Sequence, residues 1–318
     1  MKIVNKVKEF LTKSTTKKLK TAVVTGGAGF IGSHIVDALV NSGKFDSIRI
    51  IDNLSAESHD KPHFNNSSIV RYWAYDIGNY DIIKDLFKDA DVVFHLAAES
   101  RIQIATNNPT LAARTNTTGT CNVLQAAREA GCNRVIYSST SSAYGKSNTP
   151  PLKETMPNDC LNPYSVTKVA GEELCRIYNK LFGLETITLR YFNVYGDRQP
   201  LRGQYAPVIG LFLKQKEQGE KMTIIGDGLQ TRDFTYIDDI VEANMLAMDI
   251  KEGFGEIYNI GTGKSYSILD LVKMIGGSHK HIPERIGESK HTKADISKAK
   301  EILGWVPKSN LKDYLKLA

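Results

Sequence analysis

The sequence has little of what would place it among secreted, metal-binding or membrane-spanning proteins. Its four cysteines, Cys121, Cys132, Cys160 and Cys175, form no CxxC pair and share no Cys/His ligand spacing. That argues against a disulfide scaffold and a zinc site, and the expectation is reduced thiols in a cytoplasmic protein without a metal. No apolar run approaches the length of a membrane span, and residues 1–20 lack the apolar core of a signal peptide. There is no internal repeat and no low-complexity tract.

Charge of one sign is also scarce beyond the start. The formal charge is +6, and the opening MKIVNKVKEFLTKSTTKKLK carries seven Lys against the single Glu9, so past residue 20 the charges nearly balance. The lysines are not interleaved with a series of aromatics, as a nucleic-acid platform would want. Residues 1–20 therefore read as a solvated basic extension or a helix leading into the first strand, with neither nucleic acid nor a membrane as partner. What remains is ordinary globular composition, 318 residues with 41% hydrophobic and 24% charged. That is enough to bury one large core or two unequal ones.

From residue 21, short β-branched or apolar runs alternate with helical stretches: TAVVT, a helix to about Gly43, SIRIID, SIVRYWAY, a helix around DIIKDLF, DVVFHLA, a long helix to about Gly131, and RVIYSS. Strand then helix, repeated, predicts an α/β protein with a doubly wound, Rossmann-type parallel sheet over 21–194. The run SSTSSAYGKSNTPPLKETMPNDCLNP is loop chemistry, placed where such sheets build active sites. Asn162 as N-cap and Pro163 at the first helical position predict a helix that stops near Gly183, followed by the strand ETITLRYF. From about Tyr195 glycine becomes more frequent and elements shorter, which predicts a smaller α+β lobe over 195–318, partly interleaved with the first domain.

The first strand runs into Gly26-Gly27-Ala28-Gly29-Phe30-Ile31-Gly32 and then a helix. Glycines at such a turn let backbone N–H groups approach a pyrophosphate at the helix N-terminus. Asp52, twenty residues past Gly32, ends the second strand and is placed to accept from the adenosine ribose hydroxyls. Its charge would repel a 2′-phosphate, so the expected cofactor is NAD.

Tyr164 and Lys168 are four apart at the start of one predicted helix, so they share a face. A free tyrosine, with a pKa of about 10, is a poor base at neutral pH. A nearby ammonium and a positive nicotinamide would favour the phenolate and draw that pKa down. Tyr164 is then a general base and acid, with Lys168 its tuner and a ligand of the nicotinamide ribose. The hydroxyls of Ser138-Ser139-Thr140-Ser141-Ser142 end the preceding strand within reach of the same proton. His95 and Tyr144 read as structural.

These motifs, TGGAGFIG, HLAA, SSTSSAYG, PYSVTK, LRYFNVYG, GDGLQTRDFTYIDD, YNIGTG and LGWVP, together resemble the extended short-chain dehydrogenase/reductase family, in its NAD-dependent sugar-nucleotide epimerase/dehydratase branch. The resemblance runs from about residue 21 to about 307. It implies that Thr140 hydrogen-bonds the reacting oxygen of a sugar, since threonine offers the same donor and acceptor as serine. It implies a cofactor envelope that adds Asn53, Asp76, Ile77, Leu96, Ala97, Ala98, Asn116, Ser138 and Tyr191 to the glycine loop, Asp52, Tyr164 and Lys168. It also implies a substrate site in which Arg232 and Arg285 hold a UDP pyrophosphate, Glu288 holds the ribose, Asn193 reaches pyrophosphate or sugar, and Ser139 lies beside Thr140. Thr292 would wall the pocket by the sugar's 2-substituent and, being small, would admit an N-acetyl group.

The implied reaction is inversion at carbon 4 of a UDP-hexose, UDP-glucose or UDP-galactose and by extension their N-acetylated counterparts. A transient 4-keto sugar forms, turns over and takes its hydride back. Related 4,6-dehydratases carry Asp-Glu directly after the threonine, and decarboxylases a Glu two residues after it; here Ser141-Ser142 supplies neither carboxyl. A catalytically silent NAD-binding protein is the alternative from another class, and such proteins lose the Tyr, Lys or hydroxyl kept here. The resemblance further implies a homodimer through helices near 110–130 and 163–182, and a last helix beyond LKDYLKLA in many relatives.

Overall fold

A computed structural model describes residues 20–56, 61–201, 207–284 and 287–317; residues 1–19 of the basic extension and Arg285 lie outside them. The main sheet begins with β1 (Thr21–Thr25), β2 (Ser47–Ile51), β3 (Val70–Trp73), β4 (Val92–His95), β5 (Arg134–Thr140) and β6 (Glu185–Tyr191). The seventh strand, β11 (Glu256–Ile260), comes from the segment assigned to the second lobe. The order is β11-β6-β5-β4-β1-β2-β3, and every pairing is parallel. Strand order reverses between β1 and β4, so their carboxyl ends open a crevice, the usual ligand site of such sheets. β1 is buried along its whole length, as a central parallel strand covered on both faces must be.

Helix α1 (Phe30–Ser42) follows the glycine loop, and α2 (Ile102–Asn107) follows β4. The single helix expected up to Gly131 is interrupted: Ala113–Thr118 is π-helical and leads into α3 (Gly119–Glu129). Such wide turns favour functional places, and this one holds the fully buried Asn116.

Helix α4 (Pro163–Phe182) forms as its caps require. The Asn162 side chain accepts from Ser165 N–H at 2.8 Å, Pro163 takes the first turn, and Gly183 closes the helix at φ 70°. Gly171 lets α4 press onto β5, since a Cβ there would lie 2.2 Å from the Tyr137 hydroxyl oxygen. That close approach carries Lys168 under the helix and over the Tyr137 ring.

The remaining strands, β7 (Val194–Tyr195) with β10 (Thr235–Tyr236), β8 (Met222–Ile225) with β13 (His279–Ile282), and β9 (Thr231–Asp233) with β12 (Ser265–Ser267), make three two-stranded ribbons. With α5 (Val208–Glu217) and α7 (Ile268–Ile275) they bury their own core around Phe212, Ile224 and Leu271, while α6 (Ile237–Asp249) returns to pack on the main sheet's core. The chain crosses between these two groups of elements more than once. Among the described residues no helix is long and apolar enough to cross a membrane.

Candidate active site

A cavity of about 610 Å³ runs along the carboxyl ends of the strands and between the two lobes. At one end lies the glycine loop. Gly26 sits at φ 71° with the Ala97 amide 2.7 Å from where a Cβ would be, and a Cβ on Gly32 would stand 2.1 Å from the Gly26 carbonyl oxygen. Only glycine fits either place. At Gly29 the nearest atom to such a Cβ is 3.4 Å away, so the loop is open there. Gly29 is also the N-cap of α1 with no side-chain cap, which leaves first-turn N–H groups facing the space that Phe30, Ile31 and Gly32 line. This cradle fits a dinucleotide pyrophosphate.

Asp52 lines the same end. Its Oδ2 accepts from Ala28 N–H at 3.0 Å and its Oδ1 from Leu54 N–H at 2.9 Å, so the carboxylate braces the glycine loop as well as facing the cavity. Asn53, Ile77, Leu96, Ala97 and Ala98 also line it. Asp76 does not. Its carboxylate is held by Gly78 N–H at 2.7 Å and by Arg114 at 2.9 Å, because the turn after β3 needs an acceptor of its own. Asn116 likewise stays out of the cavity: it takes Glu99 N–H at 2.8 Å and donates to the Glu99 carbonyl at 3.0 Å and to Thr167 Oγ1 at 2.9 Å. Both, expected as cofactor contacts, brace the walls of the cavity.

In the middle of the cavity stand Tyr164 and Lys168, on one face of α4, with Ser138, Ser141 and Ser142 opposite. Thr140 lies close enough to Tyr164 for its hydroxyl to draw the phenol pKa down. Thr140 Oγ1 also accepts from Ser142 N–H at 3.1 Å, which fixes its rotamer. Burial pushes the Tyr164 phenol up, the Thr140 hydroxyl draws it partly back, and the Glu99 carboxylate pushes it further up.

Lys168 is 3% exposed, and its Nζ lies 4.2 Å from the centre of the Tyr137 ring. Burial lowers its pKa to about 7, against smaller upward pulls from Cys175 and Glu172.

Ser139 lines the cavity too, and its hydroxyl donates to Glu172 Oε1 at 2.5 Å. Glu172 is also gripped by Arg190 at 2.8 and 2.6 Å, both side chains 1% exposed. The pair ties α4 to β6, and removing either partner would strand a buried charge. Sequence reasoning passed over it, although Glu172 continues the 164-168 face by one more turn. Ser138 Oγ and the Tyr191 hydroxyl are 3.0 Å apart and share a hydrogen bond, with Tyr191 further bonded to Asn244.

His95 and Tyr144 are structural, as read. His95 bridges Thr25 Oγ1 at 2.7 Å and Thr120 Oγ1 at 2.9 Å, and burial lowers its pKa to about 3, so it stays neutral. The Tyr144 hydroxyl donates to Asn259 Oδ1 at 2.7 Å. All four cysteines are free thiols.

At the far end, Asn193, Arg232, Glu288 and Thr292 come together on the lining. Arg232 Nη1 donates to the carbonyls of Thr231 and Lys290 at 3.0 and 3.1 Å, its Nη2 lies 3.5 Å from Glu288, and burial lowers its pKa. Asn193 donates to the Asp233 carbonyl at 3.1 Å. Thr292 is 4% exposed and accepts weakly from Asp233 N–H at 3.4 Å, so it faces inward, not solvent. Arg101, at the N-cap of α2, and Gln103, in its first turn, also line the cavity, and sequence reasoning did not single them out.

Comparison with known proteins agrees with this geometry. The model of the NAD dependent epimerase/dehydratase family matches residues 22–261. A UDP-glucose 4-epimerase of Mycolicibacterium smegmatis is 35% identical over 90% of the chain and 93% of the relative. A UDP-N-acetyl-alpha-D-glucosaminuronate decarboxylase of Bacillus cytotoxicus is 37% identical over 93% and 96%. Among solved structures, the UDP-glucose 4-epimerase of Thermotoga maritima with UDP-glucose superposes with a TM-score of 0.87, at 36% identity, over 93% of this chain and 96% of that one.

Proposed function

The chain belongs to the NAD-dependent epimerase/dehydratase family, and from that premise we propose that it inverts carbon 4 of a UDP-hexose. Its cofactor is NAD, which when bound supplies a positively charged hydride acceptor that later returns the hydride. The residues of the chain do the rest. Thr140 orients the Tyr164 hydroxyl, and Tyr164 takes the proton of the sugar's 4-hydroxyl and gives it back after the sugar has turned. Lys168, buried on the same face, holds the cofactor ribose, and its charge adds to that of the nicotinamide.

The observation that carries this reading is Tyr164 and Lys168, on one face of α4, lining the cavity together with uncharged Ser141 and Ser142. Epimerisation needs one proton carrier at one oxygen, whereas elimination or decarboxylation in related enzymes uses a carboxyl where those serines stand. Tyr164→Phe tests it: turnover of UDP-glucose to UDP-galactose should fall by orders of magnitude while NAD binding persists, and near-normal turnover would overturn the assignment.

UDP is placed at the far end, with Arg232, Glu288 and Asn193 as its ligands and Arg285 as a further one. The inward-facing Thr292 supports room for an N-acetyl group at the sugar's carbon 2. The exposed Leu111 and Val166, on the two helical segments expected at a dimer interface, support a homodimer, testable by sedimentation. A cytoplasmic location fits the free thiols.

A further inference from the structure

The catalytic helix and the Arg232 end of the cavity belong to different elements, yet one side chain bonds to both. Asn162, 8% exposed, is the N-cap of α4, two residues before Tyr164. Its Oδ1 accepts from Ser165 N–H and its Nδ2 donates to the Gly287 carbonyl, both at 2.8 Å. Those partners fix which end of the amide is which, since one only donates and the other only accepts. Gly287 opens the segment 287–290, on which the Arg232 end rests. The Lys290 carbonyl accepts from Thr231 N–H at 2.9 Å and from Arg232 Nη1 at 3.1 Å, and Glu288 lies 3.5 Å from Arg232 Nη2. A second tie joins the segment to the loop after β5, where Ser289 Oγ donates to the Gly145 carbonyl at 2.6 Å. Asn162, Tyr164, Arg232, Gly287, Glu288 and Ser289 all line the one cavity. Capping alone does not call for asparagine. Serine and aspartate accept from the same N–H as well, but neither carries the amide donor that reaches Gly287.

We propose that Asn162 is a positioning residue that couples the nucleotide end of the site to Tyr164, because its one rigid amide holds the segment 287–290 against the helix turn that carries the proton carrier. The proposal rests on the UDP-sugar reading above. By linkage the coupling runs both ways: UDP settling on the segment steadies the first turn of α4, and freeing the segment from that turn weakens UDP.

Asn162→Ser separates the two bonds, since serine keeps the cap and gives up the reach to Gly287, whereas Asn162→Ala gives up both. Hydrogen exchange of the NAD-loaded proteins, with and without UDP, is followed by mass spectrometry over 163–168 and 287–292, and calorimetric titration gives the UDP affinity. In wild type UDP should slow exchange in both segments. In Asn162→Ser the thermal midpoint without UDP should stay above that of Asn162→Ala. UDP should bind about threefold to tenfold more weakly, the effect of one hydrogen bond. At saturating UDP the slowing should persist over 287–292 and be lost over 163–168. Asn162→Asp, whose charge suits a helix N-terminus, keeps the cap should serine not hold the fold, and it must lose the same response. A residue that is only a cap gives serine and aspartate variants that match wild type in UDP affinity and in exchange. That result, or wild-type exchange over 163–168 that UDP does not change, would overturn the coupling while leaving the UDP-sugar reading intact. Wild-type protein that binds no UDP would overturn both.

Discussion

Lys168 is the place where stability and function pull apart. Its side chain is 3% exposed and its pKa falls from the ordinary 10.5 to about 7, chiefly through burial. Below about pH 7 the folded, NAD-free protein must hide a charged ammonium, while the unfolded chain keeps it solvated. Between pH 7 and 10.5 the unfolded chain binds the proton and the folded one does not, so wild-type stability rises with pH by about 1.4 kcal/mol per unit. Over that interval the penalty amounts to up to about 5 kcal/mol. Lys168→Met removes it while filling the same volume over Tyr137. The variant should therefore be more stable than wild type at pH 6 by several kcal/mol, and that advantage should be about 3 kcal/mol smaller at pH 9. Urea unfolding of both NAD-free proteins at the two pH values measures the difference. NAD should then stabilise wild type more than the variant, because it is the ligand the ammonium is kept for. A variant whose advantage is absent at pH 6, or does not change with pH, would refute the desolvated ammonium.

Thr140→Val should slow turnover less than Tyr164→Phe, since it deletes the orienting hydroxyl and not the proton carrier; single-turnover rates compare them. Asp52→Ala should weaken NAD and narrow its preference over NADP, because it removes the ribose acceptor, the repulsion and the brace on Ala28 N–H together; NADP binding more tightly than NAD in the unmodified protein would contradict the role given to Asp52. Thr292→Tyr should lower kcat/KM for UDP-N-acetylglucosamine relative to UDP-glucose, and an unchanged ratio would show that position 292 is not the wall.

The features legible in the sequence are those with local causes. The glycine loop, Asp52, the Asn162 cap with Pro163, and the Gly183 stop are each set by a residue's own backbone and its immediate neighbours, and the structure has them where the spacing placed them. The face shared by Tyr164 and Lys168 follows from helical period. What periodicity does not carry is the direction in which a polar side chain finds its partner across the fold. Ser139 turns to Glu172, Asp76 to Arg114 and Lys168 to Tyr137 because those partners arrive from other elements. β11 completes the main sheet although EIYNI lies far along the chain, amid the short elements of the second lobe. Arg101 was passed over for the opposite reason. A charged residue in a loop after a strand reads as solvent-facing, and only the structure places two of its donors on Glu99 and leaves a third buried.

The most direct measurement is to incubate the NAD-loaded protein with UDP-glucose in D₂O and follow the products by proton NMR. Inversion at carbon 4 by Tyr164 and a returning hydride predicts UDP-galactose that keeps hydrogen at carbon 4, with no deuterium at carbon 5 and no net NADH. Deuterium at carbon 5, loss of water, or accumulation of a keto sugar would contradict it.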